Sequence, residues 1–112
     1  MLTPLERLEI VPMASGDTSL MLTERVDWDL FPGYVRAILQ ILEGAVVDRA
    51  DGPDQRVWTV RIDSQVFWLA YDDYPVGVSL DPQNETASAL IPAIRQKLLE
   101  HRAAAATDGG DS

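Results

Sequence analysis

Arg56–Ile62 alternates apolar and polar residues with period two, placing Trp58, Val60 and Ile62 on one side and Val57, Thr59 and Arg61 on the other. Asp63-Ser64 then breaks the pattern, and Gln65–Tyr71 follows with Phe67, Leu69 and Tyr71 against Val66, Trp68 and Ala70. Period two is the signature of strands, and a two-residue break between them predicts a hairpin. The second strand is apolar on both faces, so it requires two coverings: a core and something else.

A two-residue loop sets the register. It places Trp58 opposite Leu69, Val60 opposite Phe67 and Arg56 opposite Tyr71, on the face assigned to the core. Thr59 with Trp68, Val57 with Ala70 and Arg61 with Val66 then share the outer face. A Tyr74-Pro75 turn leads to a third strand, Val76–Leu80. Its expected register puts Val78 opposite Tyr71 and Leu80 opposite Leu69. Ser79 and Asp81 join the outer face, and a slip of one residue would turn the apolar set into solvent.

The remaining elements follow from the same patterns. Leu8 and Ile10, then Leu20 and Leu22, predict an N-terminal hairpin around Ala14–Asp17. Phe31, Val35, Ile38, Leu39 and Leu42 recur at helical spacing. Asp29 is the expected N-cap, with Pro32 harmless in the first turn and Trp28 folding back as a staple. Gly44 is the expected left-handed stop. Ala45–Arg49 reads as a strand closed by the Asp51–Asp54 turn. Leu90, Ile91, Ile94, Leu98 and His101 are expected to form the stripe of a last helix. Pro92 either falls in its first turn, with Ser88 as cap, or bends it, with Thr86 as cap. Lys97, His101 and Arg102 are expected near its C-terminus, where the dipole favours cations. The order β-β-α-β-β-β-β-α predicts a two-layer α+β domain: a largely antiparallel sheet with two helices on one face. The domain is expected to span residues 1–102, with 103–112 a disordered acidic tail.

Composition narrows the chemistry. The 112 residues contain no cysteine, which removes disulfides, thiolate catalysis and Cys-ligated zinc. Lys and Arg number 9 against 18 Asp and Glu, a net charge of −9. That charge disfavours nucleic acid and anionic lipid and permits a basic partner. No apolar run reaches the length of a membrane span, and Met1–Arg7 lacks the basic and apolar regions of a secretory signal. A cytoplasmic protein is expected. The single histidine, His101, is expected as a helix-end cation or at the rim of the core rather than as the base of a triad, and one histidine does not make a His-based zinc site. No glycine-rich phosphate loop occurs, and no cofactor is expected. Carboxylates at Asp72-Asp73 leave open a divalent-metal or enzymatic site, although neighbouring strand residues point to opposite sides.

Asp54-Gln55-Arg56-Val57-Trp58, Phe67-Trp68-Leu69-Ala70-Tyr71-Asp72-Asp73-Tyr74 and Val78-Ser79-Leu80-Asp81 together resemble a family of short bacterial domains known as a domain of unknown function. The resemblance covers the middle half of the chain and leaves the N-terminal hairpin and Ala-rich tail outside. It implies no activity and carries over no catalytic residue. The expectation is a non-catalytic acidic interaction domain, binding a protein partner or forming a homodimer through its outer sheet face. Val57, Thr59, Arg61, Val66, Trp68 and Ser79 would form the surface, and Asp72, Asp73 and Asp81 an acidic rim. A covering of Trp68 by the N-terminal segment or by Arg61 is the competing arrangement. An immunity-type inhibitor of a basic toxin or nuclease is the narrower alternative.

Overall fold

The hairpin around Asp63-Ser64 lies inside the sheet. In the computed structural model, which describes residues 3–73 and 76–110, β4 (Gln55–Ile62) and β5 (Gln65–Asp73) pair antiparallel in the expected register, Trp58 opposite Leu69 and Thr59 opposite Trp68. Asp63 and Ser64 both take positive φ, 52° and 65°. Two such residues make a turn whose twist matches the strands it joins. β6 (Val76–Pro82) continues the pattern, with Val78 opposite Tyr71 and Leu80 opposite Leu69. Tyr74 and Pro75, the expected turn residues, lie outside the described residues.

Both N-terminal strands join the same sheet. β1 (Glu9–Pro12) pairs with β2 (Thr18–Thr23), and β2 pairs with β6 through Leu20 and Leu80. β3 (Ala45–Asp51) flanks β4 on the other side, with an irregularity between Val46 and Asp48. The order is β1-β2-β6-β5-β4-β3, with every neighbouring pair antiparallel. Leu8 is buried as its pattern suggests, whereas Ile10 is 41% exposed on the edge strand.

Helix α1 (Phe31–Leu42) and the C-terminal helices pack on the face bearing Trp58, Val60, Phe67, Leu69, Tyr71, Val78 and Leu80, in one apolar core. The architecture is the α+β arrangement expected, with the last helical region divided. Asn84 caps a short α2 (Glu85–Ala89), its side chain accepting from Ala87 N at 2.8 Å. The chain breaks at Leu90, and α3 (Ile91–Gly110) begins afresh with Pro92 in its first turn, where no helical hydrogen bond is lost. Asn84 thus caps α2, and Thr86 and Ser88 lie within that short helix, so neither of them caps the last helix. α3 runs into the segment expected as a tail, so Lys97, His101 and Arg102 lie well before its end. Arg102 instead donates to Leu5 O at 2.9 Å and Arg95 to Leu8 O at 2.7 Å. With Tyr34 Oη donating to Pro4 O at 2.7 Å, these bonds hold the N-terminal segment against the helices.

The ends of α1 differ from expectation. Leu30 occupies the N-cap position, and it is Asp27, not Asp29, whose carboxylate accepts from Leu30 N at 3.0 Å. Asp27 O also accepts from Phe31 N, so this residue closes the turn that starts the helix. At the other end Glu43, not Gly44, is left-handed, with φ 58°. Gly44 is required for space: a Cβ there would lie 2.6 Å from Arg61 O and 2.9 Å from Leu39 Cδ2. Two substitutions separate these roles. Gly44→Ala is expected to cost about 2–3 kcal/mol, because backbone must shift. Glu43→Gly is expected to gain about 1 kcal/mol by relieving the left-handed conformation. Urea denaturation of both variants measures the two effects, and a stabilising Gly44→Ala contradicts the packing described.

Candidate functional site

With the helices on one side, strand alternation leaves the other side of the sheet open. Trp68 stands in the middle of a row running across it. Thr59 and then Asp48 lie on one side of Trp68, with Asp81 and then Ser19 on the other. The adjacent row reads Ala50, Val57, Ala70, Ser79 and Met21. Val66 and Arg61 form a pair beyond Trp68 in the opposite direction. The result is a mostly small and apolar surface around one indole that is 41% exposed.

Among the described residues, neither proposed covering of Trp68 is seen. The N-terminal segment from Pro4 to Leu8 lies on the helix side, where Leu5 and Leu8 enter the core. Among the described residues, neither Arg61 nor any other cation stacks on Trp68. Val57, Thr59, Arg61, Val66, Trp68, Asp72, Ser79 and Asp81 therefore share the open face. Asp73 does not. It follows Tyr71 onto the helix side and accepts a hydrogen bond from the Tyr71 hydroxyl. Asp72 accepts from Gln55 Nε2 at 2.8 Å, and Asp81 accepts from the Ser19 hydroxyl. Asp72 and Asp73 point apart, as neighbours on a strand must, so the structure does not join them into one site.

A second cluster was not anticipated from sequence. Arg56 reaches in from the core face of β4 with its Cζ 4.7 Å from the Trp28 ring centroid, 5.5 Å from Trp58 and 5.7 Å from Phe31. Its Nε donates to Asp51 Oδ1 at 2.8 Å and its Nη1 to Trp28 O at 2.9 Å. Trp58 Nε1 donates to the same Asp51 oxygen at 3.0 Å, while Arg49 also lies over the Trp58 ring, 5.0 Å from its centroid. The rings also meet edge to face, Phe31 with Trp58 at 5.3 Å and Trp28 with Tyr71 at 6.2 Å. Trp28 is thus less a staple on α1 than a lid over Arg56 and Tyr71. The available signal was Arg56 opposite Tyr71 on the core face: a charge at such a position needs partners.

Electrostatics follow from these contacts. The hydrogen bond from Arg56, then that from Trp58, holds the Asp51 carboxyl below its ordinary 3.8. Burial, then the hydrogen bond to Asp73, pushes the Tyr71 hydroxyl up to about 12. Burial also raises Tyr34. A groove of about 270 Å³ lies between the N-terminal segment and α1, lined by Pro4, Val26, Leu30, Gly33 and Ala37 with Tyr34. The Tyr34 hydroxyl is already engaged by Pro4 O. His101 is exposed beside Gln40 and Ile41. Among the described residues, no three His, Asp or Glu side chains gather as a metal site, and no helix is long and apolar enough to cross a membrane.

These features define a two-layer α+β domain with a one-sided antiparallel sheet, its bare face centred on an indole. The chain belongs to the family described as a protein of unknown function (DUF3630), whose sequence pattern matches residues 8–100. The match takes in the N-terminal hairpin, which the sequence resemblance had left outside. No curated protein and no solved structure matches the chain.

The arginine cluster can be tested through stability. Arg56→Met is expected to lower the unfolding free energy by about 2 kcal/mol, through lost stacking and an abandoned Asp51. Asp51 has a depressed pKa, so on acidification the unfolded chain takes up its proton first. Its contribution is complete above about pH 4 and is lost as pH falls through the lower folded value. The stability difference between wild type and Asp51→Asn should therefore shrink below pH 4 in urea titrations. A difference unchanged down to pH 2 contradicts the pairing.

Proposed function

We propose that this domain is a non-catalytic, cytoplasmic interaction module that binds a protein partner through the open sheet face around Trp68. The observation carrying this reading is a half-exposed indole in the centre of an uncovered sheet, ringed by Val57, Val66, Ala70 and Ser79. Large aromatic side chains at the centre of a small-residue surface are the usual anchors of protein interfaces. Arg61 and Thr59 supply directional contacts, and Asp72 and Asp81 a polar margin.

Charge favours a basic partner over a second copy. The face carries Asp48, Asp72 and Asp81 against Arg61, and the whole chain has a net charge of −9. Two such faces brought together would set like charges against each other, whereas a basic surface would be steered in. An inhibitor of a basic toxin or nuclease is a narrower form of this reading, supported by the same acid excess. The proposal assigns no catalytic residue: Asp72 and Asp73 diverge, and His101 stands alone on α3.

Trp68→Glu is expected to abolish capture of the partner from native lysate while moving the thermal midpoint by no more than a few degrees, since exposed substitutions rarely cost much. Capture by Trp68→Glu at the wild-type level would remove the face from the account. Collapse of its folded state would show that the indole is structural.

A further inference from the structure

Trp28 and Trp58 each face an arginine of this chain, and Trp68 faces none among the described residues. At Trp58 the arrangement is complete. Two guanidinium groups lie 5.0 and 5.5 Å from its ring centroid. Asp51 receives Arg56 Nε at 2.8 Å and the Trp58 indole N–H at 3.0 Å. The unit is an indole, a carboxylate from the neighbouring strand and an arginine shared between them.

Trp68 has the first two parts of this unit. Asp81 stands directly opposite it on β6, at a Cβ separation of about 5 Å for such pairs. The Ser19 hydroxyl holds one carboxylate oxygen, and the other accepts no hydrogen bond among the described residues. Arg61 lies diagonally across on β4, on the side of Trp68 away from Asp81. Beside the indole on the β5–β6 side, the next pair is Ala70, 9% exposed, with the half-buried Ser79, both with short side chains.

Resting on the reading of this face as an interface, we propose that Trp68 and Asp81 receive an arginine side chain of the protein partner. Its guanidinium lies on the indole and donates to the Asp81 carboxylate, with its aliphatic stem over Ala70 and Ser79. Arginine fits better than lysine because a planar guanidinium can stack and donate laterally at once. The acidic margin at Asp48 and Asp72 adds longer-range attraction for a basic segment.

The test is NMR of the ¹⁵N-labelled full chain, following the three indole N–H signals during titration with a short capped peptide carrying two arginines. The control is the same peptide with citrulline, which keeps the shape and removes the charge. The arginine peptide is expected to shift the Trp68 indole signal saturably, and the citrulline peptide is not. Read in all variants from the backbone amide of Asp81, which lies opposite residue 68, Trp68→Leu, which keeps an apolar side chain but no ring, should weaken binding about tenfold, and Asp81→Asn about fivefold, within the range of such contacts. Unchanged Trp28 and Trp58 signals verify folding of both variants. Equal binding of the citrulline peptide, wild-type affinity in Trp68→Leu, or no shift at Trp68 would each overturn the arginine proposal. These failures are distinguishable from failure of the interface itself, which is read separately from partner capture by Trp68→Glu. A Trp68 signal that instead moves with protein concentration alone would overturn the arginine occupant in favour of a second copy.

Discussion

The pairing of β5 with its two neighbours determines everything else in this domain. β5 carries Phe67, Leu69 and Tyr71 on one side and Val66, Trp68 and Ala70 on the other, so its own composition does not decide which side is core. The neighbours decide. β4 offers Trp58, Val60 and Ile62 against Thr59 and Arg61, and β6 offers Val78 and Leu80 against Ser79 and Asp81. Only one register lets all three strands bury their larger apolar set together. The tight turn at Asp63-Ser64, with both residues left-handed, fixes that register locally. Trp68 is consequently directed away from the helices, and the open face is a consequence of what the core selects.

The same register places Arg56 on the core side, where an isolated charge would be costly. The fold answers with aromatic faces, a carbonyl and a carboxylate. Trp28 arrives from the loop before α1 and Asp51 from the end of β3, so one guanidinium ties three separate parts of the chain together. A lysine could not stack and donate in a fork at the same position. The cluster thereby fixes the approach to α1 from within the sheet, while Asp27 closes the turn that starts the helix.

Patterns of period two and 3.6 made most of this architecture legible. The two central hairpin registers, the helix faces and the outward position of Trp68 follow from side-chain alternation alone. What was not legible depended on competition between local residues or on contacts distant in sequence. Asp27 and Asp29 are equally good cap residues by type, and the loop geometry around Trp28 chooses between them. Gly44 reads as a left-handed stop because glycine usually serves that purpose. Its real constraint is the close approach of Arg61 O from β4. Pro92 is accommodated by a helix break at Leu90 that the apolar stripe runs across without interruption. The strand order required knowing that β2 joins β6, a pairing between segments some sixty residues apart. Of the surface residues expected from sequence, only Asp73 lies on the other face, because alternation continues to the end of β5.

The central claim is that the indole of Trp68 is open on a bare sheet face while those of Trp28 and Trp58 are engaged by arginine. Oxidative footprinting of the dilute native protein, read by mass spectrometry for each tryptophan, tests it most directly. The account predicts rapid modification of Trp68 and strong protection of Trp58, which is only 5% exposed. Protection of Trp68 equal to that of Trp58 in dilute protein would contradict it.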